Sequence, residues 1–530
     1  MAQVIICAGI SVMPYIRPVG TFQLANILRQ AGYTVQVIDQ FPWIANEGIE
    51  TVKTLFDKFV GPETLWIGYS STWFRIIREM QRGFKEHMPG GIIPTSWHDL
   101  RRNTLLFTDE EIIDLRASVH KKNPNVKFVL GGARSSSGRR ALFSPLIDIY
   151  IEGYADNTAL RLTRWLDGEP NIDIKPVKPI AYSAGFENDY IFSIRDDPKA
   201  TGFDYNNHRF TWHENDLVNW GETLPMEIAR GCVFNCAFCS YPLNGRKKMD
   251  YLKDPLILRE QLIENYERFG TTNYFFLDDT FNESEEKLEL LAEHTFSKLD
   301  FRPRFGAFMR VDLIAHNPRQ IQLLNDIGVS GAFFGIESLN YEANKSVGKG
   351  IKKEKLLECL YRLQDEWPSD VITDAQFIMG LPNDNEETIL EWLDEVLTDD
   401  FPLDAAKIEP LHLNKNSINE IWVSKFAEFP ERYGYTFPDN EKPYNWVNNM
   451  GFSANDAVRI KNSKPKQWAI KEKTAFLGDY GLMNIGVPAD VIEARRYNNL
   501  PFAVGQGSDY QTRKAFVKNY IKRLLALEEE

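Results

Sequence analysis

Cysteine is scarce in this chain. Five in 530 residues are too few for a disulfide framework and fit a reducing compartment. No apolar run approaches the roughly 20 residues a membrane-spanning helix needs, so no bilayer crossing is expected. Positive charge is not in excess either. The formal net charge is -13, spread along the chain, which argues against an extended grip on nucleic acid and allows at most a local basic mouth. The opening Met1-Ala2-Gln3-Val4-Ile5-Ile6-Cys7 has no basic stretch before its apolar run. It reads as a first strand and not as a secretory leader, and the expected location is cytoplasmic. No repeat at solenoid periods is evident. What remains is 43% hydrophobic and 25% charged, ordinary for a globular protein. The length suits three or four domains, or fewer if one is a barrel.

The fold class read from the pattern is α/β. Across 1–170, short apolar runs at 4–9, 35–39, 65–70, 126–131 and 147–153 alternate with helical periodicity at 21–31, 49–59, 74–86, 109–121 and 157–166. That predicts a doubly wound, flavodoxin-like parallel sheet with its ligand edge beyond the strands' carboxyl ends. Residues 88–108 read as an inserted loop. The segment 171–220 is a connection too rich in aromatics for a bare linker. Alternation resumes over 221–415, with six strands (225–229, 274–277, 304–308, 331–335, 375–379, 407–411) and helices after most of them, which fits a partial (β/α)6 barrel. From 416 to 530 the pattern loosens into a mixed, possible substrate-facing region that ends in a charged helix.

Three of the five cysteines, Cys232, Cys236 and Cys239, fall within eight positions as C-x3-C-x2-C. An odd set of adjacent thiols cannot all pair, and soft thiolates from one loop suit an iron–sulfur cluster better than zinc. No fourth Cys or His stands beside them to complete a structural zinc site. Three ligands leave one iron of a four-iron cluster open, and the loop leaves the first barrel strand at its carboxyl end.

The stretch resembles the signature of the radical S-adenosylmethionine (SAM) superfamily, C-x3-C-x-aromatic-C, matched through Phe238. The resemblance continues in Phe276-Leu277-Asp278-Asp279-Thr280-Phe281-Asn282, in Gly335-Ile336-Glu337-Ser338 and in Met379-Gly380-Leu381-Pro382. It covers roughly 220–415. It implies a [4Fe-4S] cluster on Cys232, Cys236 and Cys239, with SAM on the open iron. A one-electron donor of flavodoxin or ferredoxin type would start SAM cleavage to a 5'-deoxyadenosyl radical, which abstracts hydrogen from a substrate. Pro18-Val19-Gly20, Gly131-Gly132 and Glu152-Gly153-Tyr154-Ala155-Asp156 are similar to landmarks of the cobalamin-binding domain in one subclass. Cobalamin is thus a candidate second cofactor, although no Asp-x-His-x-x-Gly follows the first strand.

The resemblance places Phe238, Asp279, Arg310, Glu337, Ser338 and Lys349 on the cofactor side. Each has a plainer reading. Phe238 lies beside adenine or cluster, or in the core. Glu337 meets ribose hydroxyls, or is a salt-bridged rim acid. Alternation lets one of Asp278 and Asp279 point inward, and Asp279 is favoured. Arg310 and Lys349 pair with the SAM carboxylate or an acidic substrate, or are solvated. Arg230 faces the cluster charge or the surface. Arg246-Lys247-Lys248 meets a phosphate or solvent, His412 faces the mouth or packs at the rim, and Ser11–Pro18 and Arg134–Ser137 are candidates for a cofactor tail. Cys359 reads as a buried hydrophobe. Three functions follow: a radical SAM enzyme, with cobalamin-dependent methyl transfer as one outcome; the same chemistry without cobalt, by abstraction, cyclisation or rearrangement, beside a degenerate N-terminal domain; or a non-catalytic iron–sulfur carrier or scaffold. The substrate is not named by any motif.

Overall fold

The computed structural model describes residues 1–8, 17–70, 107–132, 146–172, 174, 192–195, 203–241, 243, 245, 247, 249–398, 400–414, 423–438, 444–463, 468–470 and 508–528. The sequence readings at 9–16, 74–106, 134–137, 246 and 248 lie outside them. Two compact units divide the chain.

The first unit holds strands β1 (Val4–Cys7), β2 (Val35–Ile38), β3 (Trp66–Ser70), β4 (Lys127–Gly132), β5 (Ile149–Glu152) and β6 (Phe192–Arg195). They are ordered β2-β1-β3-β4-β5-β6 and all run parallel. The first five follow the flavodoxin order. β1, β2 and β5 are buried along their length, as apolar runs covered on both faces should be. The helix Asp109–Lys122 starts where the sequence predicts because Thr108 and Glu111 form a reciprocal capping box.

Two features here escape local pattern. The helix Ser508–Ala526 belongs to this first unit, where Val517, Ile521 and Leu524 join the core of β1, β3 and β4 and Tyr520 accepts the Asp39 N–H at 3.1 Å. Residues 210–222 fold with it. Arg17 there is buried, forks onto the Glu222 carboxylate and donates to the Asp216 (2.8 Å) and Leu217 (3.1 Å) carbonyls. Arg17, one of the two described residues of the Ser11–Pro18 reading, is therefore committed to the fold.

The second unit carries β7 (Leu224–Met226), β8 (Asn273–Phe276), β9 (Arg304–Met309), β10 (Val329–Glu337), β11 (Ile372–Met379), β12 (Ala405–Pro410) and β13 (Trp468–Ile470). β7 to β12 stand in sequential order and run parallel, and β13 closes the edge antiparallel to β12. Helices return between them, opened by Asp254 before Pro255–Phe269, Ser284 before Glu285–His294 and Asn385 before Glu386–Val396. The six parallel strands are the partial barrel that the sequence predicts.

The expected break at 415 is not where the units part. The described residues 423–438, 444–463 and 468–470 remain in the second unit. Trp446 is why they stay. Its indole donates to the Leu411 carbonyl at 3.0 Å, and its ring sits where a Cβ on Gly380 would lie, 2.1 Å away, with Gly380 at φ +102°. Gly380→Ala is expected to cost roughly 3 kcal/mol or more, from combined left-handed strain and overpacking. Urea unfolding at a fixed slope measures it.

Candidate active site at the carboxyl edge of the second sheet

The chain leaves the sheet after Met226, and the loop that follows is closed by its own backbone. Ala229 bridges Leu252, the Arg230 N–H donates to the Tyr251 carbonyl (3.1 Å) and the Lys253 N–H to that of Ile228 (2.9 Å). Gly231, at φ +107°, turns the chain where a side chain would be strained. Within the loop Cys232 N–H meets the Leu243 carbonyl (3.1 Å), Gly245 N–H that of Phe234 (2.9 Å) and Cys239 N–H that of Cys236 (3.1 Å). Cys232 is buried, Cys236 and Cys239 are half-buried, and none is in a disulfide.

Three soft thiols on one loop are the kind of donor an iron–sulfur cluster takes, one thiolate per iron. Burial pushes the Cys232 thiol up to about 11, so it keeps its proton near neutrality, and a bond from this sulfur to a metal would require that proton's release.

The ends of the next three strands support that loop. After β8, Asp278 is fully buried. Its Oδ1 accepts the N–H groups of Ile228 (3.1 Å) and Ala229 (2.9 Å), and its Oδ2 pairs with Lys287 Nζ at 2.6 Å. After β9, Arg310 forks onto Asp312, with Nε to Oδ1 at 3.0 Å and Nη2 to Oδ2 at 2.6 Å. Its Nη1 reaches Cys236 Sγ at 3.8 Å, and its plane lies 4.1 Å from the Phe234 ring centroid. The Asn282 side chain holds both the N–H (2.8 Å) and the carbonyl (3.0 Å) of Arg310. At the end of β10, Glu337 sits at φ +68°, where the register shifts between Gly335 and Glu337. Lys349 Nζ binds its Oε1 at 2.5 Å and the Gly335 carbonyl at 2.7 Å, and stands 5.7 Å from the Phe238 ring.

Five of the sequence candidates thus converge: Cys236 with Arg310, and Phe238 with Lys349 and Glu337. Glu337 is a salt-bridged rim acid whose Oε1 is taken. Ser338 is fully buried and shapes the turn, since its hydroxyl accepts the Asn340 N–H at 3.1 Å. Asp279 is half-buried, and its carboxyl is pushed up to about 7 by burial first and then by the charges of Asp278 and Glu227. Arg230 is held by Glu227 at 2.8 Å and lies over Tyr205. His412 is exposed and leans on Tyr444, and Cys359 is buried, as read. Asp278, Lys287, Asn282 and Asp312 were not singled out as site residues. Their signal was present in the run of polar residues straight after an apolar strand, but which of them faces the cysteine loop depends on a turn beyond the strand.

Comparisons with known proteins agree with this geometry. Residues 226–396 match the Radical SAM superfamily. The chain is 26% identical over 284 residues to the anaerobic magnesium-protoporphyrin IX monomethyl ester cyclase of Rubrivivax gelatinosus, covering 51% of this chain and 48% of that protein. It is 22% identical over 255 residues to the hopanoid C-3 methylase of Methylococcus capsulatus, covering 47% of each. The chain therefore matches about half the length of these curated relatives. Its fold is shared with the radical SAM methyltransferase TsrM of Kitasatospora setae, solved with cobalamin and a [4Fe-4S] cluster (TM-score 0.56, 13% identity, 99% of both chains). It is shared too with the cobalamin-dependent SAM radical enzyme OxsB (TM-score 0.53, 15% identity, 99% of this chain and 80% of that one). The C-x3-C-x-aromatic-C loop at the carboxyl end of β7 thus lies inside the segment, residues 226–396, that matches the radical SAM superfamily.

Proposed function

We propose that the protein is a radical SAM enzyme that functionalises an unactivated carbon of its substrate, with cobalamin-dependent methyl transfer as the leading outcome. The observation that carries this reading is the meeting of the cysteine loop with Arg310, Lys349 and Glu337 at one sheet edge. An iron–sulfur carrier needs no second set of charged groups there. When bound, the [4Fe-4S] cluster and SAM supply one-electron cleavage of a sulfonium bond and a carbon radical strong enough to take hydrogen.

The chain's own residues do the rest. Cys232, Cys236 and Cys239 each give a thiolate to one iron. Phe238 and Lys349 offer a ring face and a cation on the SAM side, where Lys349 can exchange its Glu337 partner for the SAM carboxylate and free Glu337 for hydroxyls. Asp279, with its raised pKa, can hold a proton near neutral pH beside the loop. Ser338 keeps the Glu337 turn in shape. The reductant is a flavodoxin- or ferredoxin-type donor and the working location cytoplasmic; among the described residues no helix is long and apolar enough to cross a membrane.

For cobalamin, the support is the N-terminal fold. The carboxyl edge of its sheet carries Gly132 and Gly153, both at positive φ, and buried Glu152. The relatives' names include a protoporphyrin ester cyclase, bacteriochlorophyllide methyltransferases and a hopanoid methylase, all acting on large ring skeletons. A substrate of that class also suits β8 to β10. Phe275, Phe308 and Phe333 contact one another there, on the sheet face opposite buried Phe276, Phe305 and Phe334, and Phe308 is 45% exposed.

Purification from cells supplied with cobalamin, followed by a visible spectrum and an assay with methyl-labelled SAM, tests the assignment. A stoichiometric corrin band and label transferred to a ring compound are expected. A cluster-loaded protein that takes up no corrin supports the cobalamin-independent reading.

A further inference from the structure

We propose that Arg310 is the fixed hydrogen-bond donor to the cluster sulfur of Cys236 and sets the cluster's reduction potential. The inference rests on Cys232, Cys236 and Cys239 being cluster ligands. It differs from the expectation that Arg310 grips the SAM carboxylate.

Three observations point to it. The guanidinium is held on several sides: Asp312 takes Nε and Nη2, Phe234 lies under the plane, and the Gly348 carbonyl stands 3.4 Å from Nη2. Only Nη1 is aimed at sulfur, 3.8 Å from Cys236. The backbone beneath is equally fixed, since Asn282 brackets Arg310 and is itself tied to Gln320 at 2.9 Å. A side chain with this many partners cannot swing far without breaking a buried charge pair.

The second observation concerns a side chain on another sulfur of the loop, Cys232, to which the Phe234 backbone N–H also donates. The Thr280 hydroxyl lies 3.4 Å from Cys232 Sγ, but its one hydrogen is given to the Asp279 carbonyl at 2.8 Å. With its hydrogen on that carbonyl, Thr280 must turn before it can donate to a thiolate. Arg310 keeps its donor whatever the sulfur's charge. The third is Arg230, the cation nearest in sequence, which is occupied by Glu227 and Tyr205.

Iron–sulfur potentials follow net charge and hydrogen bonds to sulfur. The step affected is a one-electron reduction. An external reductant gives one electron to the cluster, and no bond is made or broken at Arg310. A cation and donor beside the sulfur favour the more negative, reduced state, so removing them makes the potential more negative.

Wild type, R310K, R310Q and D312N are reconstituted anaerobically with iron and sulfide. Iron content is measured, and the midpoint potential is titrated with dithionite in the absence of SAM. Equal iron content is expected, with R310Q shifted negative by about 59 mV or more, equivalent to tenfold in a one-electron equilibrium. R310K keeps the charge but loses the planar fork, so its shift is smaller. An unchanged potential in R310Q overturns the proposal. If R310Q does not fold, unshifted potentials in both R310K and D312N overturn it equally. Failure of the wild type to take up iron overturns the cluster reading itself, a result distinct from either.

Discussion

Cys236→Ala is expected to remove the iron–sulfur absorption at about 400 nm and all SAM-dependent product, while leaving the fold within about 1 kcal/mol of wild type. Both halves follow from where the residue stands. Its sulfur is half-buried on a loop whose hydrogen bonds are made by backbone groups of Cys232, Phe234, Cys239, Leu243 and Gly245, so the side chain supports little of the local structure. Its loss leaves Arg310 forked on Asp312. Cys359→Ala is the control. Cys359 is buried with Leu356, Leu360 and Leu363 on one helix, so its truncation should lower stability by roughly 1–2 kcal/mol with no change in iron content. If Cys236→Ala keeps its absorbance, the ligand assignment is wrong.

The second large effect is at Asp278. Asp278→Ala strands two backbone N–H groups at the root of the cysteine loop and leaves the Lys287 ammonium buried, with the Glu283 carboxylate 3.7 Å away. Breaking a fully buried ion pair by removing one partner costs roughly 3–5 kcal/mol, so loss of cluster loading should accompany the drop in unfolding midpoint. Lys287→Met should fall in the same range, because the carboxylate then keeps its two N–H donors but loses its counter-ion. The double change Asp278→Asn with Lys287→Met is expected to regain about half or more of the loss, since the asparagine oxygen still accepts both N–H groups and no charge remains buried. Urea unfolding and iron content are the measurements. Single variants within about 1 kcal/mol of wild type would show that the pair does not hold the loop.

The main strands and helices of both sheets were legible because each strand is a short apolar run between turn residues, and many helices open on a side chain that caps them, such as Thr108, Asp254, Ser284 and Asn385. The cysteine triad was legible from residue chemistry alone. Other parts were not, and each had a specific physical reason. β8 ends at Phe276, so strand alternation no longer governs Asp278 and Asp279; the demand for an acceptor comes from N–H groups fifty residues earlier. Glu337 adopts φ +68° after a register shift, and no local rule predicts a left-handed glutamate. The terminal helix meets Asp39 across 481 positions, and Trp446 reaches Gly380 through space alone. Local periodicity carries no information about such contacts.

The most direct measurement of the central claim is 5'-deoxyadenosine formation. The cluster-reconstituted chain is reduced anaerobically with dithionite, given SAM and analysed by mass spectrometry. The nucleoside should accumulate in wild type and be absent in Cys236→Ala. A cluster that reduces normally in the presence of SAM yet yields none, even slowly, would contradict the assignment of this edge as a site of reductive SAM cleavage.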